Sequence, residues 1–177
     1  MRDPLDKTKL IRFMDEIGKA ATGPGRIYLV GGATALLLDI RSQTIDIDIK
    51  LDPEPPGVFE AIAVLKDRLN VSVELASPDD FLPALPGWRT RGEFIARRGM
   101  VDFYNYDFYG QALAKLLRGH DQDLTDVRAY VELDKVVPKI LLELLHQVED
   151  ELIRYPAINR QSLVARVEAF VQEHEHR

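Results

Sequence analysis

The spacing of apolar residues changes repeatedly along the chain, and each change predicts an element. Leu10, Phe13, Met14 and Ile17 recur at helical spacing from about Thr8 to Ala21, and the run Gly23, Pro24, Gly25 stops that helix. The apolar run from Ile27 to Val30 predicts a strand, which breaks at Gly31 and Gly32; the good helix formers from Ala33 to Leu38 predict a short helix after it. Strict alternation follows from Thr44 to Lys50. A period of two puts Asp46 and Asp48 on one face of that strand, with Ile45, Ile47 and Ile49 on the other. Strand, tight turn, short helix, strand is the unit around which the rest of the chain is arranged.

After it, Pro53, Pro55 and Pro56 exclude regular structure. A helix is expected from about Val58 to Leu69, with Phe59, Ile62, Ala63 and Leu65 among its apolar positions. Val71 to Leu75 returns to period two, turning Val71, Val73 and Leu75 to the core and Ser72 and Glu74 to the opposite face. The stretch from Ser77 to Arg98 is rich in proline and reads as a long loop with a short strand near its end; Trp88, with Arg89 and Arg91, either stacks on a base or pins the loop to the core. Met100 to Phe108 reads as a strand whose aromatic run packs inward. Helical spacing resumes at Tyr109 with Leu113, Leu116 and Leu117, ends at Gly119, and restarts behind Asp123 and Asp126, which look like an acidic helix start. Two more helices are expected: Val136 to Leu152, with Ile140, Leu141, Leu144, Leu145 and Val148 on one face, and Ser162 to Glu173. His120, His146, His174 and His176 show no metal-ligand spacing, and the last two read as a frayed end.

Composition narrows the classes. With 177 residues, 46% hydrophobic and 29% charged, the chain can bury a full core and is neither disordered nor fibrous. The absence of cysteine excludes disulfides, thiolate zinc sites and a cysteine nucleophile, and is compatible with a reducing cytoplasm, the expected location. Neither a signal peptide nor a membrane-spanning stretch is apparent. A formal charge of −6 argues against a broad nonspecific nucleic-acid surface, although it leaves room for a local basic groove.

The chemistry lies in the central unit. Alternating Asp and Ile by itself describes a strand with one wet face. The paired glycines just upstream change its meaning, because backbone N–H groups at the end of a strand and before a helix can meet phosphate oxygens, while two adjacent carboxylates call for a cation. Thirteen residues separate Gly32 from Asp46. In that spacing the sequence resembles the nucleotidyltransferase superfamily of polymerase β type, whose signature is a Gly-Gly or Gly-Ser pair followed about a dozen residues later by Asp-hydrophobic-Asp.

Two further stretches extend the resemblance to residues 28–131. Residues 112–127, ALAKLLRGHDQDLTDV, are similar to the basic and acidic motif after the sheet in AbiEii-like nucleotidyltransferase domains of toxin-antitoxin and abortive-infection systems; Arg41 and Thr44 match the lead-in to the acidic strand. The resemblance implies an α/β nucleotidyltransferase fold, a small mixed sheet flanked by helices, in one domain over 1–177 with its core at about 26–131 and a helical part at 132–177. It implies magnesium or manganese held by Asp46, Asp48 and a third acid, Glu74, with Asp102 as the rival. Gly31, Gly32, Thr34, Arg41, Thr44, Lys115 and Asp123 become the candidate nucleotide ligands. The implied reaction moves a nucleoside monophosphate from a nucleoside triphosphate to a hydroxyl of RNA, protein or a small molecule; a toxin activity would bring a cognate antitoxin as partner. The alternative is a nucleotidyltransferase-like binding protein without transfer. The sequence departs from the pattern at Ala33, where a hydroxyl residue is common, and at Gln122, where a basic one is.

Overall fold

The structure is a computed structural model and describes residues 2–175. The chain is mixed α/β, with one five-stranded sheet, eight α-helices and two 3-10 segments among the described residues. Its contacts divide it into two compact units: Met1–Ser77 with Gly92–Tyr106, and Pro78–Arg91 with Asp107–Arg177.

The first unit holds the sheet. In chain order it comprises α1 (Lys7–Ala20), β1 (Gly25–Val30), α2 (Gly32–Leu37), β2 (Asp46–Leu51), α3 (Val58–Arg68), β3 (Ser72–Leu75), β4 (Glu93–Arg98) and β5 (Val101–Asn105). The strand order is β3-β2-β1-β5-β4, with β2–β3 and β1–β5 parallel and the other two pairs antiparallel. Ile27, Leu29, Ile47, Ile49, Val73, Val101 and Phe103 bury one sheet face against Leu10, Phe13, Met14 and Ile17 of α1 and Val58, Ile62 and Leu65 of α3. Each such side chain contributes roughly 1.5–3 kcal/mol by leaving water. Asp6 caps α1 by accepting from the Lys9 N–H at 2.8 Å.

The expectation that Leu75 faces the core is corrected, and two further apolar positions lie outside it. Ile45 precedes β2, Leu75 ends β3 and is 50% exposed, and Phe59 lies on the outer side of α3 at 57% exposure. Alternation assigns a face only where a strand is paired along its whole length, and the first turn of a helix can point either way.

The second unit is helical: α4 (Trp88–Arg91), α5 (Phe108–Arg118), α6 (Asp121–Glu132), α7 (Pro138–Val148) and α8 (Arg160–Glu175), with 3-10 segments at Pro78–Asp80 and Glu149–Arg154. α5 packs on α6, α7 and α8, burying Leu113, Leu116, Val127, Tyr130, Leu141, Leu145, Val167 and Phe170. Gly119 closes α5 in the left-handed region at φ 71°. Trp88 is buried, Arg89 lies 4.4 Å from its ring centre, and Arg91 forks onto buried Asp107 at 3.0 and 2.7 Å. Ile140, expected on the packed face of α7, is exposed. His174 belongs to α8 rather than to a frayed end, its Nδ1 2.8 Å from the Phe170 carbonyl oxygen, whereas His176 lies outside the described residues.

Candidate active site

The turn between β1 and α2 brings the glycines and the acids together. Gly31 has φ 62° and ψ −123°, a conformation that side chains rarely tolerate, and it leads directly into α2. Val30 pairs with Asp48 across the β1–β2 ladder, so the turn emerges beside that carboxylate. A Cβ built on Gly31 would lie 3.3 Å from Asp48 Oδ2. Gly32 is small for a different reason: a Cβ there would meet Thr44 Oγ1 at 2.0 Å. Thr44 is itself fixed by a two-way bridge with Leu5, at 2.7 and 2.9 Å. Close packing therefore sets the course of the chain from α2 into the acidic strand.

The register of β2 and β3 positions the acids. Asp46 pairs with Ser72 and Asp48 with Glu74, and in a parallel ladder such partners share a face. Asp46 and Asp48 are half-buried and Glu74 is exposed, on the sheet face opposite the core. Asp102 is elsewhere: it pairs with Arg26 of β1, four residues before Val30 and thus roughly 13 Å further along the sheet. Its carboxylate takes the Arg97 fork at 2.7 and 3.0 Å. The Arg97 hydrogen bonds, against the opposing effect of burial and with help from Arg26, hold its pKa below the ordinary aspartate value.

The remaining expected ligands have other surroundings. Thr34 is fully buried and donates its hydroxyl to the Leu29 carbonyl at 3.1 Å, tying α2 to β1. Arg41 is half-buried in the segment between α2 and β2. Lys115 and Asp123, in the second unit, are both buried. The Lys115 amine donates to Asp126 at 2.7 Å and lies 3.9 Å from Asp123. Asp123 takes the Arg118 fork at 2.9 and 2.6 Å and accepts from the His120 N–H at 3.3 Å. Burial pushes the Asp123 pKa up, but the Arg118 hydrogen bonds and charge, Lys115 and the His120 N–H together bring it below the usual value. The Lys115 amine therefore sits in a buried ion pair, where an ammonium requires carboxylate compensation.

The model of the family described as a nucleotidyltransferase of unknown function (DUF6036) matches residues 8–175. The chain belongs to this nucleotidyltransferase family. Neither the curated proteins nor the solved structures include a match to it. The family match runs through both units, and no helix among the described residues is long and apolar enough to cross a membrane.

For a nucleotidyltransferase, the donor set on the open sheet face is one of hard oxygen ligands. Among the described residues, however, no three His, Asp or Glu side chains are gathered closely enough to hold a metal ion. Asp46 and Asp48 still suit magnesium, which is commonly held by one or two carboxylates and completes its shell with water and substrate phosphates. The period of two continues the Asp46–Asp48 face to Lys50. Sequence reading missed Asp126 as the partner of Lys115, eleven residues away on the next helix, a pairing that no within-helix period encodes.

Proposed function

We propose that this nucleotidyltransferase moves a nucleoside monophosphate from a nucleoside triphosphate to an acceptor hydroxyl with magnesium or manganese as cofactor. The observation that carries the reading is the Asp48 carboxylate lying 3.3 Å from the Cβ position of Gly31, at the turn where phosphate is expected. Gly31 and Gly32 would offer backbone N–H groups to the β and γ phosphates, and Asp46 and Asp48 would hold the metal. The bound metal would neutralise charge on the triphosphate and lower the pKa of an attacking hydroxyl. In the reaction the acceptor oxygen bonds to the α-phosphorus, the bond from that phosphorus to the bridging oxygen breaks, and pyrophosphate leaves with the electron pair. Glu74, beside Asp48, is the group proposed to take the hydroxyl proton.

The experiment is calorimetry of nucleoside triphosphates with and without magnesium, followed by incubation of labelled triphosphates with RNA, protein and aminoglycoside acceptors. Tighter nucleotide binding with magnesium and label transfer to one acceptor class are expected; equal affinity with and without magnesium would overturn the metal site. A toxin role with a cognate antitoxin rests on the AbiEii-like motif alone and would follow from growth arrest on expression, relieved by a neighbouring gene product. A second reading, binding without transfer, is supported by the buried pairing of Lys115 with Asp126. Nucleotide binding without label transfer to any acceptor would select it.

A further inference from the structure

The sheet face opposite the core carries a second patch beyond the acids. By register, Phe94, Tyr104, Tyr28 and Lys50 form one row across β4, β5, β1 and β2, while Arg97, Asp102 and Arg26 form the next. The Asp48–Glu74 row flanks the aromatic row on its other side. Phe94 is on the outermost strand, 56% exposed, just before a bulge that ends at Ala96. Bulges commonly re-aim a side chain at a sheet edge.

The ring of Phe94 is held in place from behind. Tyr104 meets it edge-on at 5.5 Å between ring centres, and Tyr104 in turn lies against buried Tyr28 at 5.5 Å. The Arg26 guanidinium is 5.2 Å from the Tyr104 ring centre, and Asp102 orients Arg97, whose side chain remains 68% exposed. Phe94 is the one large exposed apolar side chain in these rows, so the patch lacks the contiguous apolar centre of a protein interface. A single exposed ring supported by Tyr104, on the same sheet face as the Arg26 and Arg97 guanidiniums, instead matches a planar ligand that carries phosphates.

We propose that Phe94, Tyr104, Arg26 and Arg97 form a platform for an unpaired polynucleotide strand, a base stacking on Phe94 and the phosphates drawn to the two arginines. The platform and the acids share one face, with Phe94 and Asp48 roughly 16 Å apart from the strand spacing and rise. Single-strand sites span about 4–16 nucleotides, so one short strand reaches from the ring to the acid row. That the strand is the acceptor rests on the transfer reading above; its binding does not.

The test is fluorescence anisotropy of the full chain at low salt with labelled 12-nucleotide single strands of RNA and DNA and a duplex of the same sequence, without nucleoside triphosphate. Both single strands are expected to outcompete the duplex, and a preference for RNA over DNA would assign the strand to RNA through its 2′-hydroxyls. Phe94→Ala is expected to weaken single-strand binding by roughly 5- to 150-fold, the range for one lost aromatic stack, and Phe94→Trp to restore it. Arg26→Gln is expected to lower the salt slope by about one. No binding by the wild type, equal binding of the duplex, or unchanged binding by Phe94→Ala would overturn the platform. Magnesium-nucleotide affinity separates the two readings: Phe94→Ala keeps it, whereas Asp48→Asn loses it and retains the strand.

Discussion

The two units treat acidic residues in opposite ways. In the helical unit, Asp123 and Asp126 are buried and compensated by Lys115 and Arg118 within hydrogen-bond reach or close to it. In the sheet unit, Asp46, Asp48 and Glu74 accumulate on one face, with Asp48 and Glu74 directly opposite in the ladder. Like charges opposite one another destabilise a sheet by a few tenths to about 1 kcal/mol. The first arrangement pairs acids with buried cations in one helical unit, and the second gathers acids side by side on one sheet face.

The sharpest way to break this contrast is Lys115→Met. It leaves Asp126 and Asp123 without their shared buried cation, and a loss of about 3–5 kcal/mol is expected in urea unfolding. Unchanged stability with lost nucleotide affinity would make Lys115 a ligand after all. Gly32→Ala comes next, since its Cβ would lie 2.0 Å from Thr44 Oγ1. The strand–turn–helix unit should lose about 1–3 kcal/mol, readable by thermal melting.

Asp48→Asn should behave in the reverse manner to Lys115→Met. The amide keeps the size and removes one of the opposed charges, so metal-free stability should stay within about 0.5 kcal/mol or rise slightly, while the magnesium dependence of nucleotide binding disappears. A large fall in melting temperature without metal would make Asp48 structural. The smallest effect is expected from pH. The native pKa of Asp123 is depressed, so its contribution is present above the unfolded value near 3.9 and is lost as pH falls through the lower native value. Arg118→Gln removes the hydrogen bonds that depress it, and the acid-unfolding midpoint should shift to higher pH in a circular-dichroism titration.

Much of the sheet unit was legible because its signals are local. The glycine pair, the alternation of Asp46 to Lys50 and the apolar run of β1 each report a backbone conformation that neighbouring residues determine, and the elements lie within two or three residues of expectation. The face shared by Asp46 and Asp48 follows from the pleat alone. Their nearness to Gly31 does not, since it depends on the antiparallel pairing of Val30 with Asp48.

Register also separates Glu74 from Asp102. Both sit in alternating strands with the same local pattern, and only the strand order places one beside Asp48 and the other two strands away in the Arg97 fork. Lys115 shows a related limit. Its place on α5 was evident from helical spacing, but whether its amine meets solvent or a carboxylate depends on how α6 packs on α5, and that decision brings in Asp126. Phe94 shows the same limit at a strand edge, where an apolar residue before a bulge is left 56% exposed. The sequence by itself determined the elements, the glycine turn and the shared face of two acids, because these obey short-range sterics and periodicity. Strand order, register and helix packing decided which charged groups meet, because electrostatic compensation depends on distances of a few ångströms between residues far apart in the chain.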